Sequence, residues 1–132
     1  MATFEELENS SYRRTSESSI LGDWYQSVRS VAISAMTNGD LARSLRQKIF
    51  LHVIVPEVLK RLKNDPLAGD QFDGELVASL NSVAPSDWRA LGSVKAEALI
   101  SLRDVALALE VQEADTSVLV DLSKVFDALN MK

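Results

Sequence analysis

The segment SVKAEALISLRDVALALE, residues 93–110, determines the fold class. Its apolar side chains recur every three or four residues, at Val94, Ala98, Leu102, Val105 and Leu109. This is the period of an α-helix that buries one face, and the charged residues of the segment lie off that stripe. The segment therefore predicts a long helix that packs against the rest of the protein through one side.

The same helical period continues on both sides of this segment. Downstream, Asp115 is placed to cap a last helix, whose inward residues would be Leu119, Leu122, Phe126 and Leu129. Upstream, Thr37 and Asp40 suit the start of another helix. Pro56 interrupts the helical run that continues to Leu62, so we expect either a kink or a break between two helices there.

Turn-forming residues divide the remainder of the chain into short helices. Thr3 and Glu6 have the spacing of a capping box, whereas residues 9–19 are rich in serine and favour a loop. A second irregular region, rich in Asp and Gly, follows Asn64. We predict an all-α fold, a single compact domain of about six or seven helices over residues 1–132.

Composition excludes several classes of function. The 132 residues contain no cysteine and one histidine, His52, which excludes thiol catalysis, disulfide scaffolds and an all-histidine metal site within the chain. A formal charge of −5 argues against direct nucleic-acid binding, since phosphate contacts need an excess of Lys and Arg. No signal peptide or membrane span is evident, so we expect a cytoplasmic protein that does not bind membranes.

Charge is distributed unevenly along the chain. Residues 1–40 carry a net charge of −3, residues 41–63 a net charge of +5, and residues 64–132 a net charge of −7. The basic block consists of Arg43, Arg46, Lys48, Lys60, Arg61 and Lys63. One interpretation is that opposite charges face each other within the fold; another is that the basic block binds an acidic protein, which would make the chain a helical adaptor.

A cluster of acidic residues lies in the irregular region after Asn64. Asp65, Asp70, Asp73 and Glu75 fall within eleven residues, at a spacing that does not match an EF-hand loop. The cluster is compatible with a cation site, a catalytic carboxylate pair, an acidic contact surface, or a turn whose Asp side chains cap the next helix. His52 has no catalytic partner near it in sequence, and we expect it to be a partly buried structural side chain.

Three segments carry a family resemblance: TFEELEN at 3–9, TNGDL at 37–41 leading through RQKI at 46–49 to Val55-Pro56, and NDPLAGDQFDGEL at 64–76. In this order they resemble the immunity proteins of bacterial contact-dependent growth inhibition (CDI) systems, over residues 3 to about 81. Residues 10–19 depart from the family, because a Trp-Gly-containing turn is common there. Residues 82–132 contain no matching motif.

The resemblance implies a protein that acts by contact, without catalysis or a cofactor. Members of this family protect a bacterium by binding the toxin domain that a sibling cell delivers, and many such toxins are nucleases with cationic active sites. An acidic inhibitor suits such a site. We therefore expect a cognate toxin domain as the partner, with Asp70, Asp73 and Glu75 as contacts, and Asp65 and Glu8 flanking them; the oligomeric state stays open.

Overall fold

Helices make up most of the computed structural model, which describes residues 3–10 and 20–131, with side chains for 3–7 and 23–131. Within these residues it contains eight α-helices, two short 3-10 helices (Ile33–Ala35 and Leu80–Ser82) and no strand. The α-helices are α1 (Phe4–Ser10), α2 (Ile20–Val28), α3 (Asn38–Arg46), α4 (Leu51–Asn64), α5 (Glu75–Ser79), α6 (Pro85–Ala90), α7 (Ser93–Val111) and α8 (Thr116–Asn130). The all-α prediction is confirmed, with eight α-helices rather than six or seven.

The chain breaks between α3 and α4, and not at Pro56. Lys48 adopts a left-handed backbone conformation (φ 55°), and the N–H groups of Lys48 and Ile49 donate to the carbonyls of Leu45 and Ser44 at 3.1 and 3.0 Å. This pair of bonds is the Schellman motif that ends a helix. The predicted helix break at Pro56 was wrong, because α4 runs through that residue and loses only one backbone donor there.

The core includes a large contact between α4 and α7. From α4 it takes Ile54, Val55, Val58, Leu59 and Leu62. From α7 it takes Ala98, Leu102, Val105 and Leu109, all from the predicted stripe. The helical period of residues 93–110 thus identified the buried face of α7 correctly.

The last helix, α8, packs against α5, α6 and α7. Its fully buried residues are Val118, Leu122, Val125 and Leu129. The predicted inward residues Leu119 and Phe126 are only partly buried. The predicted stripe was therefore displaced by one residue at two positions, because two neighbouring apolar stripes compete on this helix and tertiary packing selects one of them.

The end of α7 repeats the helix stop seen after α3. Glu113 has a φ of 52°, its N–H donates to the Glu110 carbonyl at 3.1 Å, and the Ala114 N–H donates to the Leu109 carbonyl at 3.0 Å. This Schellman motif usually has glycine in the left-handed position, because a Cβ atom is strained there. Glu113 is exposed, so its side chain compensates little for that strain.

Replacing Glu113 by glycine should therefore raise the free energy of unfolding by about 0.5–1 kcal/mol. This is the net effect of relieving the backbone strain, which stabilises the fold, and of the greater entropy of glycine in the unfolded chain, which opposes it. Urea denaturation of the purified protein measures this difference. Glu113→Ala is the matched control, since it removes the same charge but keeps the Cβ atom, and it should give no comparable gain. Equal changes in the two variants would mean that the effect comes from charge and not from backbone strain.

Candidate functional site

The acidic residues lie on the loop between α4 and α5, residues 65–74, which we call the acidic loop. It is closed by backbone hydrogen bonds: the Gly74 N–H donates to the Leu67 carbonyl at 2.9 Å, and the Leu76 N–H donates to the Ala68 carbonyl at 3.1 Å. At its start, Asp65 accepts a hydrogen bond from the Leu67 N–H at 3.1 Å. The loop therefore has a defined conformation supported by its own hydrogen bonds.

Glu75 occupies the centre of this arrangement, not its surface. The side chain is buried, and its Oε1 accepts hydrogen bonds from the backbone N–H groups of Asp70 (2.7 Å) and Gln71 (3.1 Å). Its Oε2 lies 3.9 Å from Nη1 of Arg46 on α3. The carboxylate thus shapes the loop from the inside. The alternative in which Asp side chains of the cluster cap the next helix was wrong, because α5 begins after its N-cap residue Gly74 without a side-chain cap.

Two glycines make room for the loop. A methyl group at Gly69 would overlap the Phe72 carbonyl oxygen and come within 2.8 Å of the Glu75 Cβ. A methyl group at Gly39, in the first turn of α3, would overlap the carboxylate of Asp70. The loop is therefore in close contact with the start of α3, where the positive end of the helix dipole favours a carboxylate.

The acidic loop exposes three carboxylates and one aromatic ring. Asp65, Asp70 and Asp73 are exposed, and Phe72, between Asp70 and Asp73 in sequence, exposes 55% of its surface. Phe72 was not among the predicted site residues, because aromatic residues are usually assigned to the core. Its position among acidic residues in a turn is the sequence feature that could have identified it. Exposed aromatic residues are frequent anchors of protein interfaces.

Two of the remaining predictions concern residues away from the loop. Glu8 lies on α1, and its side chain is outside the described part of the structure. His52 is exposed in the first turn of α4, with its ring edge-on to Phe50 at a centroid distance of 6.2 Å, so the prediction that it is partly buried was wrong. Phe50 adopts the αL conformation at the start of α4 and turns the chain there. Leu51 and Val53 pack partly buried against the core, whereas His52 between them is exposed.

The enzymatic and metal-binding alternatives gain no support from the side-chain arrangement. Among the described residues, no group of three or more His, Asp or Glu side chains is arranged to hold a metal ion. Within the acidic loop the reason is visible, because Glu75 is directed at backbone N–H groups while Asp70 and Asp73 are exposed.

Much of the basic block is paired within the fold. Arg61 donates to Glu57 at 2.9 Å, with both side chains mostly buried, and also to Asn38 at 3.1 Å. Arg46 approaches Glu75, as described above, and its Nη1 lies 3.4 Å from the hydroxyl of Ser79. These contacts agree with the interpretation that opposite charges face each other.

Lys48 and Arg43 are engaged as well. Lys48 donates to Asp87 at 2.9 Å. This hydrogen bond and one from the Ala84 N–H hold the pKa of Asp87 below its ordinary value of 3.8, so this side chain is a carboxylate at neutral pH. The Arg43 guanidinium lies over the Trp24 ring, 4.8 Å from its centroid. An adaptor that used these residues would have to compete with the contacts that they make within the fold; Lys60 and Lys63, the other two members of the block, are exposed.

Comparison with known proteins gives one family. A sequence model described as CDI immunity proteins matches residues 6–98, more than half of the chain. No curated protein matches the chain. The matched span contains the acidic loop and ends within α7, so that α8 lies beyond it. None of the described helices is both long enough and apolar enough to cross a membrane.

Proposed function

Because the chain belongs to the family of CDI immunity proteins, we propose that it neutralises the cognate toxin domain by covering the toxin's active site with the acidic loop. The proposed target is a nuclease domain with a cationic cleft. The observation that carries this proposal is the exposure, on one short loop, of the side chains of Asp65, Asp70 and Asp73 together with that of Phe72.

The internal bonding of the loop supports a role in tight binding. A surface that already has its bound conformation loses less conformational entropy on association than a flexible one. The hydrogen bonds from Asp70 and Gln71 to the buried Glu75 hold the backbone in place before any partner arrives. Exposed carboxylates then supply the charge complementarity that speeds encounter with a basic cleft.

The roles within the loop follow from burial. Phe72 is the proposed anchor, since a large aromatic side chain that becomes buried on binding contributes more than a charge at the rim. Asp70 and Asp73 are the proposed contacts to cationic side chains of the toxin, and Asp65 flanks them. Glu75 is assigned to positioning the loop, because its carboxylate is already bonded within the protein.

The proposal is tested by co-expressing the chain with the toxin domain encoded next to it and by measuring the affinity of the purified pair by calorimetry. Wild type should restore growth. The double variant Asp70→Asn/Asp73→Asn and the single variant Phe72→Ala should each raise the dissociation constant about 100-fold, the range of interface hot spots. A matched control, Glu113→Gln/Asp127→Asn, removes two exposed acids outside the loop and should bind as wild type does.

The outcomes separate the parts of the proposal. If no toxin is bound or neutralised, the proposed function is wrong. If wild type neutralises the toxin but the loop variants bind as tightly as wild type, the contact surface lies elsewhere. If the control pair weakens binding as much as the loop pair does, overall charge and not the acidic loop is responsible.

A further inference from the structure

The first turn of α3, which borders the acidic loop, is itself fixed by hydrogen bonds. Thr37 and Asp40 form a capping box: the Thr37 hydroxyl accepts from the Asp40 N–H at 3.0 Å, and the Asp40 carboxylate accepts from the Thr37 N–H at 3.4 Å. The same carboxylate accepts from the indole N–H of Trp24 on α2 at 3.2 Å. This turn is therefore held both by its own cap and by a neighbouring helix.

Asn38, the first residue of α3, links the acidic loop to Arg61 of α4. Nη1 of Arg61 donates to Oδ1 of Asn38 at 3.1 Å, and Nδ2 of Asn38 donates to the carbonyl of Gly69 in the loop at 3.5 Å. A guanidinium group only donates hydrogen bonds, and a carbonyl group only accepts them. A side chain between these two groups must do both, and the amide of Asn38 does so without adding a charge.

Arg61 is held in place by three other acceptors. Its Nε donates to Glu57 at 2.9 Å, and its Nη2 donates to the carbonyls of Ile33 and Ser34 at 3.4 and 3.2 Å. These bonds join α4 to the first 3-10 helix, and Nη1 of the same guanidinium reaches Asn38. Because Arg61 cannot accept a hydrogen bond, the amide oxygen of Asn38 faces Arg61 and the amide nitrogen faces the loop.

One peptide group of the acidic loop is bonded at both ends. Its carbonyl, that of Gly69, accepts from Asn38, and its N–H, that of Asp70, donates to the buried Glu75 at 2.7 Å. Because a peptide group is planar, hydrogen bonds at its two ends fix its orientation. The packing around it is also close, since a Cβ atom at Gly39 would overlap the carboxylate of Asp70.

We propose that Asn38, oriented by Arg61, is a positioning residue for toxin recognition. It holds the acidic loop at Gly69 from the side of α3, while Glu75 holds the same peptide group from the inside. Loss of the bond from Asn38 frees the backbone beside the exposed carboxylates, so that more conformational entropy is lost on association. The effect on toxin affinity rests on the proposed function, whereas the effect on the loop does not.

The variant Asn38→Asp separates the stability of the fold from the position of the loop. The new carboxylate still accepts from Arg61 and suits the first turn of a helix, so the global free energy of unfolding should not fall. It cannot donate to the loop carbonyl, however. Amide hydrogen exchange at residues 70 and 71 of the free chain should therefore accelerate about three- to tenfold, as expected for one lost hydrogen bond. Exchange at Leu102 in the core should not accelerate.

The matched control is Asn64→Asp, which adds the same charge beside the first residue of the acidic loop. Asn64 is exposed at the end of α4, and its replacement should leave exchange at residues 70 and 71 as in wild type. Repeating the measurement at high ionic strength screens the repulsion between the new carboxylate of Asn38→Asp and Asp70. An acceleration that disappears at high ionic strength would arise from this repulsion and would overturn the inference.

The role of Arg61 is tested by Arg61→Lys, which keeps the charge but not the fork of donors. Exchange at residues 70 and 71, relative to exchange at Leu102, should accelerate in this variant. In the double variant Arg61→Lys/Asn38→Asp it should not accelerate beyond Asn38→Asp alone, because Arg61 acts on the loop through Asn38. Additive acceleration would show that Arg61 acts by another route.

Toxin binding is the second measurement. Calorimetry with the neighbouring toxin domain should give Asn38→Asp a dissociation constant about three- to tenfold above that of Asn64→Asp, which carries the same charge. Unchanged exchange at residues 70 and 71 in Asn38→Asp would overturn the inference whether or not a toxin is bound. Equal affinity of these two variants, where Phe72→Ala weakens binding, would overturn it as well. A wild-type chain that binds no toxin contradicts the proposed function, and exchange then still decides whether Asn38 positions the loop.

Discussion

Replacing Trp88 by alanine should lower the free energy of unfolding by about 3–5 kcal/mol, a large part of the ~5–15 kcal/mol that holds a domain folded. Trp88 is fully buried and is among the largest side chains in the core. It lies on α6, which packs against both α7 and α8. Removing the indole therefore opens a cavity where three helices meet, and those helices cannot all close on it at once.

The indole N–H makes a sharper experiment possible. Trp88 Nε1 is buried, and no hydrogen-bond partner for it exists among the described residues. Trp88→Phe removes this unbonded donor, whose burial costs about 1–3 kcal/mol, and this gain offsets part of the lost packing. We expect a net loss of about 1 kcal/mol or less, measured by urea denaturation beside the alanine variant. A phenylalanine variant as unstable as the alanine variant would contradict the absence of a partner for Nε1.

Replacing Glu75 by alanine should lower the free energy of unfolding by about 2–3 kcal/mol, because it leaves the partly buried N–H groups of Asp70 and Gln71 without an acceptor. Arg46 loses a nearby carboxylate in the same variant. Amide hydrogen exchange is the direct measurement, since exchange at residues 70 and 71 should accelerate more than at Leu102 in the core.

Glu75→Gln is the control that separates the hydrogen bonds from the charge. Glutamine retains an acceptor oxygen at the same reach but is neutral, so its bonds to the two N–H groups are weaker. The expected loss is about 1 kcal/mol, with only a small change in exchange at residues 70 and 71. If exchange at these two residues is the same in wild type and in Glu75→Ala, the carboxylate does not hold the loop.

Periodicity determines how far the fold follows from the sequence. The buried face of α7 was predicted correctly at Ala98, Leu102, Val105 and Leu109, because the charged residues of this helix lie off their line. Val94, the fifth predicted residue, is only partly buried. On α8, residues 118 and 119, and 125 and 126, are adjacent apolar pairs, and local spacing does not choose between them. The end of α3 was not predicted, because the residue after its C-cap, Lys48, has a left-handed backbone conformation. Glycine is the residue that usually signals such a helix end in a sequence.

The orientation of the side chains in the candidate site could not be predicted from local sequence. The sequence places Asp70, Asp73 and Glu75 close together, but the direction of each carboxylate depends on residues far along the chain. Glu75 is directed inward beside Arg46, a residue of α3 that the charge pattern assigned to a separate block. Conversely, Phe72 is apolar but exposes 55% of its surface on the loop that closes around Glu75.

The acidic loop separates the residues that set its shape from those that meet the solvent. The buried carboxylate of Glu75 accepts a hydrogen bond from the loop backbone. Gly39 and Gly69 lie where a Cβ atom would overlap atoms of the loop. The exposed side chains of Gln71, Phe72 and Asp73 are not needed for any of these supports. The exposed side chains can therefore be replaced without changing the backbone conformation of the loop. A change of binding specificity at this surface requires new side chains but no new backbone conformation.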